Sequence, residues 1–295
     1  MRGVHRTTFF GLFSRPSDLT PVMDSLRLGL CALLAIWAVA AMAAEGADSA
    51  EASRRVKQVV AHRGASAERP ENTIASTLRA IEVRATAVEV DVRTTKDGQL
   101  VLSHDTNLDR MTSGKGQVGE LTLAEIQKLD AGSRFDQKYR GERVPTLGEV
   151  VAICRGRIDV LLDLKESGDQ YAERVAAVIK AKGEERRTIV GVRSVEQAQL
   201  FRALLPEARQ LGLIAKPDEI EAFAAAGVET IRLWPQWLAD ESLVPRVRKA
   251  GKKLHINGTK GTKEEIIPLL KYEPDSLSSD DPARLIATLS DLAAP

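Results

Sequence analysis

Ala87-Val88-Glu89-Val90-Asp91-Val92 decides the fold, read between Val59-Val60-Ala61-His62-Arg63-Gly64 before it and Leu100-Val101-Leu102-Ser103-His104-Asp105 after it. Each is a short apolar run ending in, or interrupted by, residues that carry chemistry. Side chains alternate along a strand, so Glu89 and Asp91 point to one face and can grip one cation together. Of the chain's 4 histidines, His62 and His104 stand at the ends of two of these runs. Asp97-Gly98 between apolar runs is a turn signal, and it predicts a hairpin that pairs Thr95 with Leu100 and sets Asp91 opposite His104. A parallel arrangement would need a crossover longer than the intervening residues supply.

Working outward, continuous apolar runs predict strands at 59–62, 87–92, 158–164, 188–192, 209–214, 230–233, 253–256 and 276–279. Helical spacing predicts helices at 73–83, 145–154, 170–181, 195–205, 217–226, 241–250, 263–270 and 282–292. Asn72 is the expected N-cap of the first, with Ile74, Leu78 and Ile81 on its apolar face. Pro145 is expected in the first turn of the second. Alternation of short buried strands with helices argues for a parallel sheet. Eight such strands fit a closed (β/α)8 TIM barrel better than an open, doubly wound α/β sheet. Residues 105–145 break the rhythm. They hold a Ser113-Gly114-Lys115-Gly116 turn, a capping box at Thr122 and Glu125, and a polar loop with Phe135 and Tyr139. This is a small insertion after the second-strand hairpin, of the kind where functional lids concentrate.

At 295 residues with 43% hydrophobic and 28% charged content, the chain is long enough for one such barrel and ordinary for a soluble body. A net charge of +1 gives no reason to expect a nucleic-acid partner, and 4% aromatic content argues against a base-stacking platform. Arg27 precedes an uncharged run from 28 to 44 that contains the small-x-small site Ala41-Met42-Ala43. Residues 1–44 are therefore expected to be a signal peptide, with Met23 the better start, and export to the periplasm or outside follows. The run is short for a membrane span and lacks a basic stop-transfer flank, so no stable membrane anchor is expected after cleavage. Residues 45–55 read as a solvated linker and 56–295 as the barrel. Cleavage would leave Cys154 alone, so no intrachain disulfide is expected.

Barrel active sites sit at the C-terminal ends of the strands, where His62, Arg63, Glu89, Asp91, Asp163 and Lys165 fall. Asp163 and Lys165 share a face by the same alternation. Oxygen-only ligation suits one hard divalent cation, Mg²⁺ or Ca²⁺. Two histidines beside it suit acid and base work near neutral pH. Arg63 and Lys165 can neutralise a phosphoryl oxygen, so the set points to metal-assisted phosphoester cleavage. Asn257 is expected to face the pocket, His255 is open to either reading, and Trp234 and Trp237 are expected in the core.

At these residues the chain resembles the glycerophosphodiester phosphodiesterase family. The resemblance rests on His62-Arg63-Gly64, Pro70-Glu71-Asn72-Thr73, Glu89-x-Asp91, Thr95-Lys96-Asp97-Gly98 and His104-Asp105. It continues through Leu108-x-Arg110-x-Thr112-x-Gly114, Leu129-Asp130-Ala131-Gly132 and Gly141-Glu142-x-Val144-Pro145-Thr146-Leu147 to Asp163-x-Lys165. It implies a (β/α)8 barrel whose mouth is capped by 105–145, and hydrolysis of glycerophosphodiesters to glycerol 3-phosphate and an alcohol. It also implies a divalent ion on Glu89, Asp91 and Asp163, His62 and His104 as acid and base, and Arg63 and Lys165 on the phosphate. In that family a substrate hydroxyl is thought to attack phosphorus, giving a cyclic phosphate that water opens. The family usually has Glu where Asp163 stands, and its late Trp-Thr-Val-Asn appears as Leu254-His255-Ile256-Asn257. Ser279-Asp280-Asp281-Pro282 stands near its final Thr-Asp-x-Pro. Asp-x-Lys also resembles sphingomyelinase D-type phospholipases, and a sphingomyelinase D-type or lysophospholipid phosphodiesterase is the alternative enzyme reading. A non-catalytic barrel that binds phosphorylated head groups is the alternative outside enzymes.

Overall fold

The computed structural model describes residues 50–294. The strands are β1 (Gln58–Ala61), β2 (Ala87–Thr94), β3 (Leu100–Leu102), β4 (Asp159–Leu164), β5 (Thr188–Val192), β6 (Arg209–Gly212), β7 (Thr230–Leu233), β8 (Lys253–Thr259) and β9 (Ser276–Ser279). All but β3 pair in parallel in the order β1-β9-β8-β7-β6-β5-β4-β2, and a β1–β2 pairing closes the ring. This is the expected (β/α)8 barrel. Every predicted strand is present, with ends moved by a few residues. The leader expected over 1–44, its Met23 start and its cleavage site lie outside the described residues.

Alternation along each strand sorts the interior. Val88, Val90, Val92, Leu162 and Leu164 face outward into the main core beneath the helices. Val60, Ala87, Leu161, Ile189, Leu211 and Leu213 form a separate apolar layer inside the ring. Two residues further along β2 and β4 the same inward face carries Glu89 and Asp163. The polar layer above the plug is therefore a direct consequence of the pleat.

The hairpin forms, but one residue out of the expected register. Thr94 pairs with Leu100 and Val92 with Leu102, and Ser103 N–H donates to Asp91 C=O at 3.0 Å. The loop has three residues, because Thr95 N–H donates to Gln99 C=O at 2.9 Å. A two-residue Asp-Gly turn needs positive φ at both positions, and in this loop only Gly98 (φ +77°) supplies it. Asp97 instead accepts from Thr95 Oγ1 at 2.6 Å and from Leu123 N–H at 2.9 Å. Ser103, not His104, stands opposite Asp91.

The first helix runs Ile74–Glu82 with Thr73, not Asn72, as its N-cap in a capping box with Ser76. Its buried residues are Ser76, Thr77 and Ala80, whereas Leu78 is 42% exposed. The small polar face holds the loop after β1: Ser76 Oγ donates to Arg63 C=O at 3.1 Å. Gly64 (φ +81°) makes the close approach possible, since a Cβ there would lie 2.7 Å from the Ser76 carbonyl carbon. Pro145 precedes the N-cap Thr146 of the helix Leu147–Cys154 rather than opening its first turn. Residues 50–55, read from their composition as linker, are helical. Ala52 and Ser53 are buried there, and Ser53 Oγ donates to Leu289 C=O at 2.6 Å. Between β3 and that helix, Leu108, Met111, Val118, Ile126, Ala131 and Val144 build a small second core with Val101.

Candidate active site

A cavity of about 460 Å³ opens at the C-terminal end of the barrel. His62, Arg63, Glu89, His104, Asp163 and Lys165 line it, with Asp91 buried beside them at 1% exposure. All seven residues singled out from the sequence are thus brought together.

The carboxylates of Glu89, Asp91 and Asp163 each offer an oxygen within 4.8 Å of the others. Glu89 accepts from Arg63 N–H at 2.7 Å, an alignment set by the left-handed conformation of Arg63 (φ 55°). Burial, then the charge of Asp91, pushes the Glu89 carboxyl up to about 8. Asp163 moves the other way: burial would raise it, but Lys165 and Arg193 hold it below its usual range. Lys165 Nζ bridges Asp91 Oδ1 at 2.8 Å and Asp163 Oδ2 at 2.6 Å, and Arg193 also pairs with Asp163. An all-oxygen cluster with a raised carboxyl and an ammonium standing between two carboxylates fits a hard divalent cation.

Each histidine is backed by an acid. His62 Nδ1 lies 2.7 Å from Asp280 Oδ1, and His104 Nδ1 lies 2.7 Å from Asp105 Oδ1. A carboxylate only accepts, so Nδ1–H donates in both and Nε2 is left for chemistry. Burial lowers the His62 pKa, but the Asp280 hydrogen bond and the charge of Glu89 outweigh it, and the net shift is upward. Asp105 is pulled down to about 2: burial opposes this, and hydrogen bonds from His104 and Arg110 overcome it.

The Pro70-Glu71-Asn72-Thr73 stretch now has a physical account. Glu71 takes a two-pronged contact from Arg110 at 2.7 Å on each oxygen and meets Arg63 Nη1 at 3.3 Å. Arg110 Nε donates to Asp105 at 2.6 Å, so a chain of ion pairs runs from His104 to Arg63. Asn72, also left-handed (φ 55°), donates to Asp91 Oδ2 at 2.7 Å and accepts from Asp91 N–H at 3.1 Å. It orients a candidate ligand and does not cap the helix.

Sequence reasoning missed Asn72 in this role, Asp280 as the partner of His62, and Arg193 and Arg232 in the cavity wall. Asp280 had a signal, its place in Ser279-Asp280-Asp281-Pro282 after a strand. The arginines had only the inward parity of their strands. Asn257 lines the cavity as expected, and Trp234 lines it too instead of the core. Trp237 packs against the core. His255 sits below the apolar plug, fully buried, with Nδ1 2.8 Å from Ser276 Oγ. Burial, then the nearby Arg232, pushes it down to about 3.

An eight-stranded α/β barrel whose mouth joins a carboxylate cluster to two acid-backed histidines and several cations has the layout of a metal-assisted hydrolase. The glycerophosphoryl diester phosphodiesterase family model matches residues 62–284. A glycerophosphodiester phosphodiesterase of Caldanaerobacter subterraneus subsp. tengcongensis is 37% identical over 235 residues, covering 77% of this chain and 96% of its own. The crystal structure of a glycerophosphodiester phosphodiesterase from Agrobacterium tumefaciens superposes with a TM-score of 0.68 at 31% identity, covering 78% of this chain and 99% of that one. An Oleispira antarctica phosphodiesterase in complex with the product sn-glycerol-3-phosphate gives 0.71 at 26% identity, covering 81% and 99%. The chain belongs to the glycerophosphoryl diester phosphodiesterase family, and these relatives are phosphoric diester hydrolases.

Proposed function

We propose that this protein hydrolyses glycerophosphodiesters to glycerol 3-phosphate and a free alcohol, with one divalent cation, Mg²⁺ or Ca²⁺, held by Glu89, Asp91 and Asp163. The observation that carries the reading is the meeting of this acidic cluster with His62 and His104 in one cavity. When bound, the cation supplies Lewis-acid stabilisation of a phosphoryl oxygen. Arg63 and Lys165 bind the phosphate and fix its orientation. One histidine takes a proton at Nε2 from the attacking hydroxyl, and the other delivers one from Nε2 to the leaving alcohol. Asp280 and Asp105 hold the two rings in the tautomer this requires.

The product bound by the Oleispira antarctica relative supports glycerol 3-phosphate as the product here. The segment 105–145 sends Arg110 to Glu71 and Tyr139 Oη to Glu68 C=O at 3.3 Å, which supports a role in covering the mouth. The uncharged run at 28–44 and its Ala41-Met42-Ala43 site support export, and N-terminal sequencing of the mature protein tests that. Turnover of sn-glycero-3-phosphoethanolamine, with glycerol 3-phosphate measured directly, tests the reaction. A sphingomyelinase D-type activity would release phosphorylated ceramide from sphingomyelin and leave this substrate intact.

A further inference from the structure

We infer that Arg232 and Trp234 form a subsite for a carboxylate carried on the alcohol of the phosphodiester, an inference that rests on the hydrolytic reading above. Arg63, Lys165, Arg193 and Arg232 bring positive charge into the mouth. Arg63 meets Glu71 at 3.3 Å and Asp91 at 3.4 Å. Lys165 meets Asp91 and Asp163 at 2.8 and 2.6 Å, and Arg193 meets Asp163. Arg232 lines the same cavity, yet among the described residues no carboxylate stands at ion-pair distance from it, and Asp163 reaches it through its charge alone.

Arg232 is only 7% exposed. Its Nε is buried without an acceptor, and among the described residues its one hydrogen bond is a long 3.4 Å contact from Nη2 to Ile214 C=O. A buried guanidinium left this short of acceptors is costly unless something else satisfies it. Burial, then Arg193, lowers its pKa to about 10, so it stays a cation near neutral pH.

Its position says which part of a substrate it meets. In the ring order, β7 stands four strands from β2 in either direction, so it is the wall opposite Glu89 and Asp91. Arg63 and Lys165 answer the phosphate on the near side. Glycerol carries no charge, so the anion that Arg232 matches belongs to the alcohol. A single guanidinium fork matches a planar monoanionic carboxylate, whereas a dianionic phosphate on the alcohol would need further cations, and Arg63 and Lys165 are on the scissile phosphate while Arg193 pairs with Asp163. Trp234 works against the opposite charge. The Arg232 guanidinium lies 4.1 Å from its ring centroid, so that face is already covered and offers no platform to an ammonium head group.

Glycerophosphoserine and glycerophosphoethanolamine differ by one carboxylate and are the probes. Calorimetric affinity and kcat/KM are measured for both in the wild type and in Arg232→Gln, with circular dichroism to verify folding. The wild type is expected to favour glycerophosphoserine by roughly ten- to hundredfold, mainly through KM, and Arg232→Gln to bring the ratio to about one. Trp234→Phe keeps a ring and should keep most of the preference. If Arg232→Gln does not fold, the wild-type ratio and Arg232→Lys, which loses the fork and should lose most of the preference, decide. Equal wild-type affinities overturn the inference. So does a uniform loss for both probes in Arg232→Gln, which would put Arg232 on the phosphate. A binding preference without turnover of either probe would leave the subsite standing and overturn the hydrolytic reading instead.

Discussion

At the N-terminal end of the barrel Asp159 pairs with Arg187 and Arg209, Glu229 with Arg202 and Asp275 with Arg248. At the C-terminal mouth Glu89, Asp91 and Asp163 crowd together within 4.8 Å of one another. Both ends enclose a cavity, about 260 Å³ at the first and 460 Å³ at the second, and Leu161 and Leu211 of the apolar plug touch both. Charge alone does not separate them. At one end each acid has an arginine from a neighbouring element, an arrangement that ties strand starts together. At the other, Lys165 and Arg193 answer Asp91 and Asp163, but among the described residues Glu89 has no ion-pair partner, and burial and the charge of Asp91 push its carboxyl up to about 8. The lesson is that a functional end is recognised by a buried carboxyl, here Glu89, that among the described residues no ion pair answers.

The strongest way to break this comparison is to remove the cation. Chelation should take turnover to background, and Mg²⁺ or Ca²⁺ should restore it. A second readout does not depend on activity. In the cation-free protein the Glu89 carboxyl lies at about 8 against 4.5 unfolded. Between those values the folded state holds the extra proton, so stability from this group is complete below the unfolded value and is lost as pH rises. The chelated protein should therefore melt at falling temperature from about pH 5 to about pH 8, and a saturating cation should cancel the fall by binding only the folded state. A melting temperature indifferent to chelator across this range would mean the three acids do not hold a metal.

The histidines sharpen it next. His62→Ala and His104→Ala should each lower kcat by roughly 10²–10⁴ on a glycerophosphodiester. A p-nitrophenyl ester needs little leaving-group protonation, so loss of the general acid should harm it far less, whereas loss of the base should harm both. If neither variant slows a folded enzyme, both rings are structural.

Asp280→Asn should have a smaller effect, a loss of roughly ten- to hundredfold. Asp280 is among the groups that raise the His62 pKa, second only to opposing burial. Its removal should therefore move the His62 limb of the pH–rate profile to lower pH. A uniform loss with an unmoved profile would mean that Asp280 only supports the loop.

Much of this was legible because alternation is a strong rule. Parity along two strands, with the barrel rule that sites sit at the C-terminal strand ends, predicted that Glu89, Asp91, Asp163 and Lys165 would meet, and they do. The hairpin register was not legible to one residue, since Asp97-Gly98 is compatible with loops of two or three residues and only the φ of Asp97 decides. Asn72 looked like a helix cap because its residue type caps helices; its bond to Asp91, nineteen positions away, is a tertiary fact. Asp280 and Arg232 were hidden too. Asp280 meets His62 only through closure of the ring, whereas Arg232 and Trp234 stand two positions apart and had only the inward parity of one strand to mark them.

The smallest effect tests the quiet end. Asp159 shares its carboxylate between Arg187 and Arg209, and its side chain is 21% exposed. Partly exposed pairs of this kind are worth roughly 0.2–1 kcal/mol each. Asp159→Asn keeps the shape and some hydrogen bonding, so it should lower stability in urea by no more than about 1 kcal/mol, with kcat and KM unchanged. The apolar plug is the reason: Leu161 and Leu211 stand between Asp159 and the carboxylate cluster, and among the described residues no chain of ion pairs links the two cavities. A tenfold fall in kcat for a folded Asp159→Asn protein would show that charge at the strand starts is felt at the mouth, and the two ends would have to be treated as one electrostatic unit.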